Sequence, residues 1–96
     1  MSLTFSPEAL TDIEDLHAYI AIARQSPTRA YKTIALIRIA INRLEPFPRM
    51  GREGRVAGTR ELVVPRLPYV IVYSLHNDDE VTILRVLHGA RQWPPP

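Results

Sequence analysis

The 96-residue chain predicts an α+β fold, a helical hairpin packed on one face of a mainly antiparallel sheet in the order β-α-α-β-β-β. Three observations predict it. Two amphipathic segments stand back to back between positions 6 and 44, each opened by Ser-Pro. Three segments rich in β-branched and aromatic residues follow, at 60–64, 69–75 and 81–87. Between the two groups, prolines, glycines and arginines replace any apolar period.

The elements follow in chain order. Leu3, Thr4 and Phe5 read as a short strand that stops at Ser6-Pro7-Glu8, an N-cap serine, a proline at the first helical position and an acid in the first turn. Leu10, Ile13, Leu16 and Ile20 then recur every three or four residues, with Asp12, Glu14 and Asp15 on the wet side, and this first helix should end near Ala23 to Gln25. Ser26-Pro27 repeats the start signal. Ala30, Ile34, Ile37, Ile41 and Leu44 form the buried stripe of a second helix, which Pro46 and Pro48 end. So short a connection forces the two helices antiparallel. From Phe47 to Gly58 a loop is expected, followed by three strands, with Asn77, Asp78 and Asp79 turning the last pair.

Composition bounds the function. A chain of this length buries roughly 60–65% of its unfolded surface, enough for a single domain spanning residues 1–96. Without cysteine there is no disulfide, zinc ribbon or thiol nucleophile. His17 and Glu14 share helical spacing but are too few for a metal site, and no glycine loop links a strand to a helix, so no metal or cofactor is expected. No run approaches a membrane span and the N-terminus has no signal-peptide character, which leads to an expectation of a cytoplasmic protein with no membrane partner. A net charge of +2 is too weak by itself to hold a polyanion. Eleven of the twelve basic residues are arginine, however, whose planar fork suits phosphate or carboxylate. Their positions must therefore decide.

The second sheet face calls for an occupant. Tyr69, Ile71 and Tyr73 share one side of their strand and Val70, Val72 and Ser74 the other, so neither side is polar, whereas two helices cover only one. A partner is the favoured reading.

Several segments carry a resemblance that spans essentially the whole chain. They are the Ser-Pro-Glu-Ala helix start, Phe-Pro-Arg-Met-Gly-Arg at 47–52, Gly-Thr-Arg-Glu-Leu at 58–62, Tyr-Val-Ile-Val-Tyr at 69–73 and Ile-Leu-Arg-Val-Leu-His at 83–88. In order, spacing and length the chain resembles the RelE/ParE toxin superfamily. That resemblance implies a toxin held inactive by a cognate antitoxin in a hetero-oligomer, the antitoxin and not the toxin alone binding operator DNA. Ile22, Leu36 and Ile39, which lie off the main helical stripes, together with Tyr69 and Tyr73, are the candidate antitoxin contacts; a well-covered core is the plainer reading of each.

The superfamily contains ribosome-dependent mRNA endonucleases, the RelE-like branch, and DNA gyrase inhibitors, the ParE-like branch, so the fold alone does not choose. Metal-free RNA cleavage needs an acid, a base and cations, for which His88, Glu61, Arg60, Arg66 and Arg91 are candidates. Against it, RelE-like nucleases carry an arginine directly after the first strand tyrosine, where this chain has Val70; the Leu-His-Gly-Ala-Arg ending lacks the Gly-Lys-Arg type, and no C-terminal tyrosine follows. Arg-Val-Leu-His at 85–88 resembles ParE-like members, which favours a gyrase poison that needs no chemistry of its own. Its target contacts would be Arg49, Arg52, Arg55, Arg60, Arg66 and Arg91, converging at one end of the sheet, with Trp93 as an anchor. The alternatives are ribosome-dependent mRNA cleavage and a non-toxic basic interaction module.

Overall fold

A computed structural model describes residues 2–77, 80–89 and 93–94. Its elements are β1 (Ser2–Phe5), α1 (Pro7–Ala23), α2 (Pro27–Asn42), β2 (Arg52–Glu53), β3 (Thr59–Val63), β4 (Tyr69–His76) and β5 (Glu80–His88). They form one five-stranded sheet in the order β1-β5-β4-β3-β2. All neighbours are antiparallel except β1, which runs parallel to β5 with Ser2 opposite Glu80 and Phe5 opposite Ile83.

Both Ser-Pro signals start helices for the expected reason. Ser6 Oγ accepts the Ala9 N–H at 3.0 Å and Ser26 Oγ accepts the Arg29 N–H at 3.2 Å, each satisfying a donor that has no partner within the helix. Ser6 does more than cap. Its hydroxyl donates to the Leu84 carbonyl at 2.8 Å and its own N–H donates to the Ile83 carbonyl at 2.8 Å, so one residue ends β1 on β5 and begins α1. Helix α2 stops at Asn42, with Leu44 buried just beyond it.

The core lies between the helical hairpin and one sheet face. Ala9, Ile37, Ile41 and Leu44 meet Val64, Ile71, Tyr73, Val81, Ile83 and Val86, most of them almost wholly buried. Each such aliphatic side chain stabilises the fold by about 1.5–3 kcal/mol relative to exposure. Thr33 takes a buried position where Ile34 was expected, and Ile34 packs half-buried beside it.

Three further features depart from the sequence reading. Within the 47–58 stretch, read as loop throughout, Arg52 and Glu53 pair with Glu61 and Arg60 as a two-residue edge strand. Between Val72/Tyr73 and their β5 partners the register shifts, leaving Leu84 without an opposite residue, the mark of a bulge. Asp12, read as part of a wet helix face, instead reaches β5, where it accepts from Arg85 Nε at 2.7 Å, Arg85 Nη2 at 3.0 Å and the Val86 N–H at 2.9 Å. The side chains are only 10% and 19% exposed, and the carboxylate raises the Arg85 pKa, first through that hydrogen bond. Beyond Ile83 the chain of β1 has turned away into α1, and Asp12 supplies the acceptor that a neighbouring strand would have offered. Asn77 opens the β4–β5 turn at φ 59, whereas Asp78 and Asp79 lie outside the described residues. Among the described residues no helix is long and apolar enough to cross a membrane.

Candidate functional site

The segment from Phe47 to Arg52 is fixed from beneath by two residues of the sheet. Tyr73, fully buried, donates its hydroxyl hydrogen to the Pro48 carbonyl at 2.7 Å and accepts the Gly51 N–H at 2.9 Å. Arg60, opposite Tyr73 in the ladder and so on the same face, donates through Nη1 to the carbonyls of Arg49, at 3.3 Å, and Gly51. Burial pushes the Tyr73 phenol up against the opposing pull of the Gly51 N–H and the Arg60 cation, so it remains a neutral donor. Gly51 has no room for a side chain, since a Cβ would stand 2.7 Å from the Tyr73 oxygen.

Two sequence expectations change here. Tyr73 is a core residue that anchors a loop, not a surface for an antitoxin. Arg60 is half-buried and engaged with backbone carbonyls, which makes it a positioning residue for that loop. Held out by this clamp, Phe47 and Met50 are 63% and 41% exposed, and with Pro48 and Arg49 they shape a shallow apolar surface. Neither Phe47 nor Met50 stands out as a candidate in the sequence, although the Phe-Pro-Arg-Met segment contains both. Two large apolar residues inside a loop free of apolar period were the available signal.

On the sheet face away from the helices, Val70, Val72 and Leu87 floor a cleft bordered by Arg52, Arg55, Glu61, His88, Gly89 and Trp93. Its volume is about 60 Å³, well below the roughly 300–1,000 Å³ of ordinary ligand pockets. Val72 and Leu87 are buried at its base, so part of the second sheet face is covered by the chain itself where a partner was expected. Glu61 accepts from Arg52 Nη2 at 3.2 Å and from the Arg55 N–H at 3.2 Å. Its carboxylate is thus already engaged. Glu61 stands opposite Val72, whereas His88 stands opposite Tyr69, the neighbour of Ile71 and Tyr73 on the helix side. The His88 and Tyr69 rings pack edge to face, 5.9 Å apart at 87°. Glu61 and His88 thus both border the cleft, with the His88 ring turned against Tyr69.

The basic candidates occupy three places. Arg52 and Arg55 border the small cleft, while Arg49 and Arg60 border an open cavity of about 470 Å³ near Gly54, Thr59 and Asn77. Arg66, at φ 65, is exposed on the β3–β4 turn. They do not form the single cluster expected. Arg91 lies outside the described residues.

The helices present the other large surface. Ile22 is 75% exposed, and Leu36 and Ile39 are about half exposed, as expected of residues off the buried stripes. Tyr19 and Tyr31, which the periodicity did not single out, are exposed with them. Tyr69 is half-buried against the core; burial raises its phenol pKa, partly offset by the Arg24 cation at the end of α1. None of these five helix residues lines the cavities described above.

Residues 3–93 match the family model described as ParE toxin of type II toxin-antitoxin system, parDE. The chain is 40% identical over 86 residues to the Sinorhizobium fredii (strain NBRC 101917 / NGR234) protein named "Putative toxin Y4kP", covering 90% of this chain and 85% of that one. Among solved structures it is similar to a chain of the chromosomal ParDE toxin–antitoxin system from P. aeruginosa, with TM-score 0.71 and 24% identity over 92% of this chain and 95% of that one. A chain of the E. coli DinJ-YafQ toxin–antitoxin complex aligns with TM-score 0.51 and 20% identity, over 93% and 92%. At such identities the structural likenesses speak to the fold.

Proposed function

Because the chain belongs to the ParE toxin family of type II toxin–antitoxin systems, we propose that it is a toxin that works by binding. In this reading a cognate antitoxin covers the apolar helix face around Ile22, Leu36 and Ile39, with Tyr69 beside it, and the released toxin poisons DNA gyrase in the cytoplasm. No catalysis is asked of the toxin. It need only hold the topoisomerase while its DNA is cut.

One observation carries the choice of a binding toxin over a nuclease. The cleft where an RNA-cutting member would act has an apolar floor with Val70 at the key position, holds about 60 Å³, and leaves Glu61 tied to Arg52 and Arg55 while the His88 ring packs edge to face against Tyr69. A scissile phosphate would meet neither a guanidinium at position 70 nor a free carboxylate. Arg52, Arg55, Arg49, Arg66, Arg91 and Trp93 are retained in this reading as surface contacts to the target, each individually modest in effect except a well-buried anchor.

The test is a purified-protein comparison. With gyrase, ATP and supercoiled plasmid, the chain should accumulate linear plasmid after protein denaturation, and with ribosomes and messenger RNA it should leave the message intact. Cutting of the message only when ribosomes are present would replace this reading with the endonuclease.

A further inference from the structure

We propose that Phe47 and Met50, presented on the clamped loop beside Arg49, form the anchor with which the toxin grips its target, and that the matching surface is a protein pocket of apolar floor edged by carboxylates. The inference rests on the binding-toxin reading and deepens it by separating the target surface from the helix face.

The argument starts from an imbalance. Exposed apolar side chains are ordinary when they stand singly on mobile segments, but here two of them, with Pro48, sit together on a loop held against movement. Two sheet residues are committed to that hold: the buried Tyr73 hydroxyl engages Pro48 and Gly51, and the Arg60 guanidinium engages Arg49 and Gly51. Two backbone bonds close the loop from within, from the Phe47 N–H to Arg43 at 3.0 Å and from the Met50 N–H to Phe47 at 3.1 Å. None of these contacts buries Phe47 or Met50. The clamp contributes instead to what a partner would meet, because ordering a loop before association removes an entropic penalty from binding. Aromatic residues, methionine and arginine are also the types enriched at the centres of interfaces.

Charge selects the partner. Arg49 lines the same patch as Phe47, Pro48 and Met50, so the apolar tip carries a guanidinium at its edge. An acidic rim about an apolar hollow complements it. A nucleic acid would be met mainly by the arginines and would gain little from Met50. The helix residues Ile22, Leu36 and Ile39 do not line this patch.

The experiment uses the full chain and purified gyrase, measuring binding and linear-plasmid accumulation for wild type, the double substitution Phe47→Ser/Met50→Ser, and Leu36→Ser/Ile39→Ser. The loop variant should bind gyrase at least about 30-fold more weakly, the loss expected of a hot-spot pair. Its melting temperature should stay within a few degrees of wild type, roughly as for other exposed sites. The helix variant should bind gyrase as wild type does. Arg49→Glu should weaken gyrase binding in both high and low salt, more so in low salt. Equal gyrase binding by wild type and the loop variant overturns the inference while leaving the toxin reading intact. Tight, salt-sensitive binding of the chain to a bare DNA duplex, lost in Arg49→Glu but not in the loop variant, also overturns it in favour of nucleic acid. If wild type itself fails to bind gyrase, the function reading fails first and the inference falls with it.

Discussion

Replacing Tyr73 by phenylalanine removes a single oxygen from the centre of the molecule and leaves the packing of the ring in place. That oxygen donates to the Pro48 carbonyl at 2.7 Å and accepts from the Gly51 N–H at 2.9 Å, and Gly51 is itself buried. A typical buried hydrogen bond contributes about 0.5–1.5 kcal/mol, and a buried group left without a partner costs about 1–3 kcal/mol. The Pro48 carbonyl is closer to solvent and can turn to water, so the Gly51 N–H carries most of the loss. The expected total is about 2–3 kcal/mol. For a domain near 100 residues each kcal/mol moves the melting temperature by roughly 4–8 °C, which puts Tyr73→Phe about 10–20 °C below wild type. Urea titration should give a lower midpoint at unchanged slope, since the surface exposed on unfolding is the same. A variant melting within about 3 °C of wild type, still well below the smallest expected shift, would refute the view that this hydroxyl clamps the loop.

Three other outcomes follow from the same geometry. Asp12→Ala should cost about 3 kcal/mol because it strips the partner from Arg85 and the acceptor from Val86, whereas the double change Asp12→Ala/Arg85→Met should cost less than the sum of the single changes in a thermal-melt cycle. Gly51→Ala should destabilise by about 2 kcal/mol or more, read by urea unfolding, since its Cβ would meet the Tyr73 oxygen at 2.7 Å and the Glu61 carbonyl at 3.0 Å. Tyr69 and Tyr73 both have phenols whose folded-state pKa lies above the unfolded value, so above pH 10 the unfolded chain loses those protons first and stability should fall as pH rises; Tyr73→Phe should flatten part of that fall.

What the residues disclosed, and what they withheld, divides along the range of the interactions. Ser6-Pro7 and Ser26-Pro27 start helices through contacts three residues away, so both starts were legible. The strands of the C-terminal half were legible from their β-branched content. The two-residue strand β2 was not, because Arg52 and Glu53 have no strand-like character and owe their conformation to the edge of β3. Asp12 was misread for a similar reason: on a helical wheel it is a polar position among polar positions, and only the arrival of Arg85, 73 residues later, draws it inward. Tyr73 is, in the sequence, one aromatic of a strand with no polar side, and only the reach of its hydroxyl to Pro48, 25 residues back, makes it an anchor rather than an antitoxin contact. For the candidate site, the arginines were easy to name but their division among two cavities and a turn depends on which sheet face each occupies. A shared face follows from register, which the residue pattern did not fix.

The seam between β1 and β5 has a consequence for how the molecule comes into being. Ser2–Phe5 lie against Glu80–Ile83, and Ser6 closes on Leu84, so the beginning of the chain waits for nearly its end before it has a neighbour. During synthesis at about 5–20 residues per second, the helical hairpin emerges seconds earlier than the strand that completes its underside. Contacts of such sequence separation also slow spontaneous assembly. A polypeptide cut short between positions 43 and 79 would possess both helices and still lack the strand against which β1 is laid.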